Sequence, residues 1–345
     1  MRGVLRALAC LLALTAPVSA QEATAQFGSG ETAFLVRSTT DIAIIRPVIQ
    51  RFADLRPDLA ITYEQWGSNA LFAQSKAGCR GKIPPADAIL SSAVQQMVWL
   101  VNAACASPHR SPATLALPAT RRWRDEIWGI TTEPAVIAYN TAAFQGQQVP
   151  RSRFALLDAV RADPERFRRK IATYDITESG LGYLLAFSDS LEATTFGALL
   201  ESFARVDAVA TCCSAEIIDG VAQGRYLLAY NVLGSYVASA ARAEVGIVLP
   251  DDYTLMLSRA YVVPRAAQQK EAAAALLDFL LSVEAQVLLG QVGLVSALDP
   301  ADSGIAPSVR RTIAVSPALL VSLDSNRRAQ FLAFWKDSFR SIAAP

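Results

Sequence analysis

Histidine is nearly absent: of 345 residues only His109 carries an imidazole. It sits in ASPHRSPA, a turn-like stretch, and reads as a solvated loop residue. With one histidine there is no H-E-x-x-H metal site, and the chain contains neither a G-x-S-x-G elbow nor a Walker A loop. Glu133 and Glu178 are the one carboxylate pair to weigh for acid–base chemistry, and nothing in their spacing demands it. An excess of either charge is also missing. The 32 basic and 31 acidic residues leave no electrostatic footprint for nucleic acid, and no basic helix points to a membrane surface. No metal or other cofactor is called for.

Long apolar runs are confined to the start. MRGVLRALACLLALTAPVSA has two arginines, an apolar run from Ala7 to Val18 and a small-residue end at Val18-Ser19-Ala20. That is a secretory leader cleaved after Ala20, its run too short to span a bilayer. Cys10 lies inside the run rather than after it, which argues against a lipid anchor. The expectation is a soluble, exported, periplasmic monomer.

Four cysteines then remain: Cys79, Cys105, Cys212 and Cys213. In an oxidising compartment Cys79 and Cys105, which fall in one structural unit, are the expected pair. Neighbouring cysteines meet disulfide geometry with difficulty, so Cys212 and Cys213 read as two buried small residues. A zinc site would want histidine or further cysteine nearby, and His109 is the only histidine, so zinc is not expected.

What is abundant is alternation. Strand-like segments near 32–37, 59–64, 87–90, 170–176 and 225–233 are interleaved with helical patterns, the grammar of an α/β protein with parallel sheets covered by helices. Two long β-rich stretches, 127–140 and 245–264, bracket the middle block as strands crossing between lobes would. The expected division is therefore lobe 1 at 27–131 plus 256–345 and lobe 2 at 132–255. Ile45, Val48, Ile49 and Phe52 repeat at helical spacing. Pro47 removes a hydrogen bond, so the regular helix is expected to begin near Arg46, with Asp41 capping a looser turn or meeting a cationic ligand group.

Uncharged polar residues gather where strands end: Ser38-Thr39-Thr40, Ser91-Ser92, Thr177 with Ser179 and Gly180, and Asn231 with Ser235 and Tyr236. One helix cap needs one hydroxyl. The surplus at four strand ends points to a shared ligand site at the carboxyl edge of the sheets. Helix N-termini suit carboxylates and phosphates, and Gly180 and Gly182 admit close approach. Arg259 on the second crossing stretch is the first choice for a fixed cation, Arg37 the second. Trp66 and Tyr139 are candidate walls.

The segments STTD, ITYE, ADAILSSA, WLVNAACA, YNVLGSYV, SRAYVVP and LLDFLLS, in this order, resemble the solute-binding components of bacterial ABC transporters. The nearest branch is the ferric-ion-binding-like proteins, including those related to the phosphoglycerate transport regulatory protein. The resemblance covers nearly all of the chain after the leader. It implies a two-lobed type II periplasmic-binding-protein fold with two crossing hinge strands, capture of solute by lobe closure, and an inner-membrane permease as partner. It also exposes a departure. Ferric-binding members have adjacent tyrosines here, whereas Tyr230 and Tyr236 are separated, with Val232-Leu233 between them. A small organic anion (organic acid, phosphate ester or phosphonate) is therefore expected instead of iron. A sensor signalling to a membrane histidine kinase, and an exported hydrolase, are the alternatives.

Overall fold

The computed structural model describes residues 21–295 and 306–339; residues 1–20, expected from the sequence to be a leader, lie outside them. The first sheet takes β1 (Gln21–Phe27), β2 (Thr32–Ser38), β3 (Leu59–Trp66), β4 (Ala88–Ser91), β5 (Arg122–Trp123), β6 (Ile127–Gly129) and, from far along the chain, β13 (Ala260–Val262). Their order is β1-β3-β2-β4-β13-β6-β5. The second sheet takes β7 (Glu133–Asn140), β8 (Ile171–Tyr174), β9 (Val209–Thr211), β10 (Leu228–Leu233), β12 (Thr254–Leu257) and β14 (Arg310–Thr312), with β11 (Val245–Val248) also on β7. The β2–β3, β2–β4, β8–β9 and β8–β10 pairs are parallel. Parallel strands need crossover helices, which is why these strands alternate with helical segments in the sequence.

The first lobe's helices are α1 (Ile42–Leu55), α2 (Ser68–Cys79), α3 (Val94–Asn102) and the short α4 (Pro112–Ala116). The second has α5 (Arg153–Ala162), α6 (Pro164–Phe167), α7 (Gly180–Glu192), α8 (Phe196–Arg205), α9 (Ser214–Ala222) and α10 (Gly234–Ala240). Then α11 (Lys270–Leu280) and α12 (Val283–Gln291) return to the first lobe, and α13 (Ser325–Ser338) ends the described chain. Contrary to expectation, α1 starts at Ile42 and runs through Pro47. An interior proline costs about 3 kcal/mol. Ile45, Val48 and Ile49 are completely buried, and at about 1.5–3 kcal/mol each they outweigh it.

The chain passes between sheets at 130–132 and at 258–259, and the two passages are bonded to each other. Ile130 N–H donates to the Arg259 carbonyl (2.9 Å) and Arg259 N–H to Thr131 Oγ1 (2.8 Å). A third passage follows α12, where Thr132 N–H donates to the Leu294 carbonyl (3.1 Å). Beyond it, β14 and α13 pack with the second lobe, whereas the sequence places 256–345 in the first. β14 pairs with β12 in the second sheet. Trp335 is buried in the second lobe's core, and Phe331 stacks on Phe196 at 6.0 Å between centroids. The apolar residues of α13 fit a surface that local periodicity could not identify.

Cys79, the last residue of α2, is bridged to Cys105, beyond α3, with Cα atoms 5.4 Å apart.

Candidate binding cleft

A cavity of about 770 Å³ opens between the lobes at the ends of β2, β3, β4 and β8, the edge that α/β topology makes available to ligands. From the first lobe it is bordered by Thr39, Asp41, Trp66, the start of α2 (Gly67–Ala70) and Ser92, and from the second by Tyr174, Ser179, Cys212–Glu216 and Tyr236.

Of the hydroxyl clusters read from sequence, one member of each reaches the cavity. Thr39 and Ser92 do so together, their oxygens 3.1 Å apart, while Thr39 Oγ1 accepts the Ser92 N–H. Ser38, Thr40 and Ser91 turn inward. Ser38 Oγ accepts from Thr40 N–H, and Ser91 Oγ from Ala93 N–H. These are local caps. Thr177 closes a turn on Asp175 through its N–H and hydroxyl. Asn231 holds a left-handed φ of 57°, tolerated by asparagine, beside a small internal void walled by Trp335 rather than at the cleft. Ser235 donates to Glu133.

Arg259 is the main correction. It is fully buried at the hinge. Its Nε and Nη2 donate to Glu133 at 2.8 and 3.0 Å, and Nη1 to Thr40 Oγ1 at 3.0 Å. Thr131 and Ser235 complete the Glu133 carboxylate at 2.7 and 2.6 Å. Burial works against the charged guanidinium, and the Glu133 carboxylate more than restores it, so Arg259 stays a cation. This cation is already neutralised and does not border the cavity. The same pairing separates Glu133 from Glu178, which is exposed in the cleft. Arg37 is engaged by Glu64 (2.8 Å) and lies 5.8 Å over the Trp66 ring. Tyr139 packs edge-on against Phe144 in the second lobe; Trp66 does border the cleft. His109 is held by Asp278 (3.1 Å), not free in a loop.

Asp41 makes no side-chain cap. It accepts the Tyr236 hydroxyl across the cleft at 2.8 Å. Tyr236 is buried, which pushes its phenol well above the usual range, and Asp41 adds to the rise.

The lobes grip one another around the start of α7. Ser68 Oγ accepts the Gly180 N–H (2.8 Å), Gln95 donates to the Gly180 carbonyl (2.7 Å), and Asn69 donates to the carbonyls of Thr177 (3.0 Å) and Glu178 (2.8 Å). Gly180 therefore serves close approach of lobes, not of a ligand. A Cβ there would lie 2.5 Å from Gln96 Nε2 and 3.0 Å from Asn69 Oδ1. Gly180→Val should separate the lobes. Losing even one of these bonds, about 0.5–1.5 kcal/mol, shifts the open–closed balance about two- to tenfold. Small-angle scattering should show a larger radius of gyration than wild type; an unchanged radius would refute the grip.

Sequence reasoning missed Ser68 and Asn69, although the rule applied to other strand ends also covers β3, whose end reads QWGSN. It also argued against the feature found on the opposite wall. Cys212 and Cys213, in the turn from β9 into α9, are bonded to each other, with Cα atoms 3.7 Å apart, and both residues border the cavity.

Residues 88–313, 226 of 345, match the model for a bacterial extracellular solute-binding protein. The chain belongs to that family. The substrate-binding protein of an ABC transporter from Agrobacterium tumefaciens superposes with a TM-score of 0.87 at 29% identity, covering 92% of this chain and 98% of that one. Iron-bound HitA from Pseudomonas aeruginosa (TM-score 0.67, 16% identity, 89% and 99% covered) has the same fold. So does AfuA from Actinobacillus pleuropneumoniae with fructose-6-phosphate (0.68, 15%, 90% and 99%). No curated protein matches the chain. This solute-binding protein is of the ABC-transporter type and not an enzyme, which removes the exported-hydrolase reading.

Proposed function

We propose that this protein captures a small organic anion in the interlobe cleft and presents it, in the periplasm and as a monomer with its leader removed after Ala20, to an inner-membrane ABC permease. The observation that carries the reading is a pair of helix starts, α2 from the first lobe and α9 from the second, opening on the same cavity with no side-chain cap on either. Helix N-termini present N–H donors and a partial positive charge, and a carboxylate or phosphate can satisfy both at once. They take over the role that sequence reasoning gave to Arg259. Thr39, Ser92 and Ser179 add neutral hydrogen bonds.

The cleft's own charges set a condition on the rest of the solute. Glu22, Asp41, Glu178, Glu216 and Asp219 border the cavity, against Arg225 as its only lining cation among the described residues. A solute whose remaining groups are hydroxyls or an ammonium, donors to these carboxylates, fits better than a polyanion. Titration calorimetry with 3-phosphoglycerate, fructose 6-phosphate, an aminoalkyl phosphonate and citrate tests the reading. Binding of at least one with 1:1 stoichiometry is expected; binding of none of the four would overturn the anion assignment.

Ferric iron should give no phenolate colour. The Tyr230 hydroxyl donates to Asp189 within the second lobe, and Tyr236 faces Asp41. Burial pushes both phenols well above their ordinary range, so neither is poised as a phenolate ligand. A stoichiometric visible complex on adding ferric citrate would reverse this.

A further inference from the structure

The Cys212–Cys213 disulfide does no work that a disulfide usually does. The chain-entropy benefit of a cross-link grows with the loop it closes, and a bond between neighbours closes almost none. The Cys79–Cys105 bond, by contrast, spans 26 positions. The adjacent pair ties no distant elements together, so its consequence is local.

Locally it sits at the binding wall. Cys213 is the N-cap residue of α9, and both cysteines border the cavity. The bond therefore sets the backbone path into the helix start that meets the solute. It also removes two thiol donors and leaves a soft, polarizable surface suited to the carbon face of a ligand. Cys212 Sγ lies 4.0 Å from Glu216 Oε2. A disulfide sulfur has no proton to donate, so this is van der Waals contact, and Glu216 is held instead by the Thr211 hydroxyl at 2.5 Å. Just behind, Tyr174 shares a 2.6 Å hydrogen bond with Ser214 and accepts the Leu233 N–H at 3.3 Å, which anchors the first residue of α9 to the sheet. The two cystines differ in access: Cys212 is exposed, whereas Cys105 is buried and Cys79 half-buried.

We propose that the Cys212–Cys213 disulfide is a redox-sensitive wall of the solute site: bonded, it positions the start of α9 and offers an apolar face to the solute, and reduced, it lets that wall relax and weakens binding. The proposal rests on the reading of the cleft as an organic-solute site. The chemistry is ordinary exchange. A thiolate of a dithiol reductant attacks one sulfur to form a mixed disulfide, and its second thiol then displaces that cysteine. Two electrons and two protons pass to Cys212 and Cys213, and the reductant leaves as its own disulfide.

The test compares wild type, wild type after mild dithiothreitol and iodoacetamide treatment, and Cys212→Ala/Cys213→Ala. Peptide mapping should find Cys212 and Cys213 bonded in the untreated protein and alkylated before Cys79 and Cys105. Of 3-phosphoglycerate, fructose 6-phosphate, an aminoalkyl phosphonate and citrate, the tightest binder to untreated protein should bind about tenfold more weakly, equivalent to about 1.4 kcal/mol, to both modified forms, with the thermal midpoint unchanged. Free thiols at both positions in untreated protein would overturn the proposal, as would equal affinity in all three forms. Weaker binding accompanied by a lower midpoint would assign the bond to folding and overturn it as well. Failure of untreated protein to bind any of the four would instead refute the anion reading beneath it.

Discussion

Replacing Arg259 by alanine should cost about 3–5 kcal/mol of folding stability, because it leaves the completely buried Glu133 carboxylate without its cation. The loss extends beyond the pair. Arg259 also donates to Thr40, and its backbone joins the two crossing strands. Urea unfolding should show the midpoint fall with the denaturant slope retained. Arg259→Met combined with Glu133→Leu should lose far less, since a buried pair replaced by apolar residues of similar volume is often close to neutral. Were Arg259 a ligand anchor, the single substitution would weaken solute binding and leave the unliganded protein as stable as before. That outcome would restore the role expected from sequence.

Loss of the Cys79–Cys105 bridge should destabilise the protein by about 3.5 kcal/mol on the chain-entropy estimate for a loop of about 27 residues. The bridge joins the end of α2 to the segment after α3, and both helices contribute side chains to the grip on α7. Cys79→Ala/Cys105→Ala should therefore unfold at lower urea. An unchanged midpoint would mean that the bridge is absent or that the unfolded chain is already constrained there. Because the effect acts mainly on the unfolded chain, affinity at temperatures well below unfolding should stay near wild type. This separates it from the adjacent cystine, for which the opposite pattern is expected.

Much of the architecture was legible because the governing patterns are local. Alternation of β-rich and helix-period segments follows from side-chain periodicities that span only a few residues, and the strands at 32–38, 59–66 and 88–91 fall where that alternation put them. The rule that ligands meet the carboxyl ends of such strands led to Thr39, Ser92, Ser179 and Tyr236, all at the cleft. The same rule did not distinguish Thr39 from Ser38 and Thr40. Successive side chains at a strand end point in different directions, and which one faces the second lobe depends on a surface contributed from beyond residue 130.

Long-range partners account for the rest. Arg259 and Glu133 are 126 positions apart, and a guanidinium near a hinge reads the same in sequence whether a carboxylate waits beside it or a solute does. Gly180 reads as room for a ligand, and packing gave that room to Gln96 and Asn69. The C-terminal helix docks on the second lobe's apolar surface around Phe196 and Tyr183, which it covers, and nothing local in its sequence identifies that surface. Local sequence thus determined the α/β class, the strand ends and the family, because short-range stereochemistry and motif order suffice for these. Tertiary structure decided which polar groups are neutralised inside and which face the cleft, because burial and charge pairing are properties of residues brought together from distant parts of the chain.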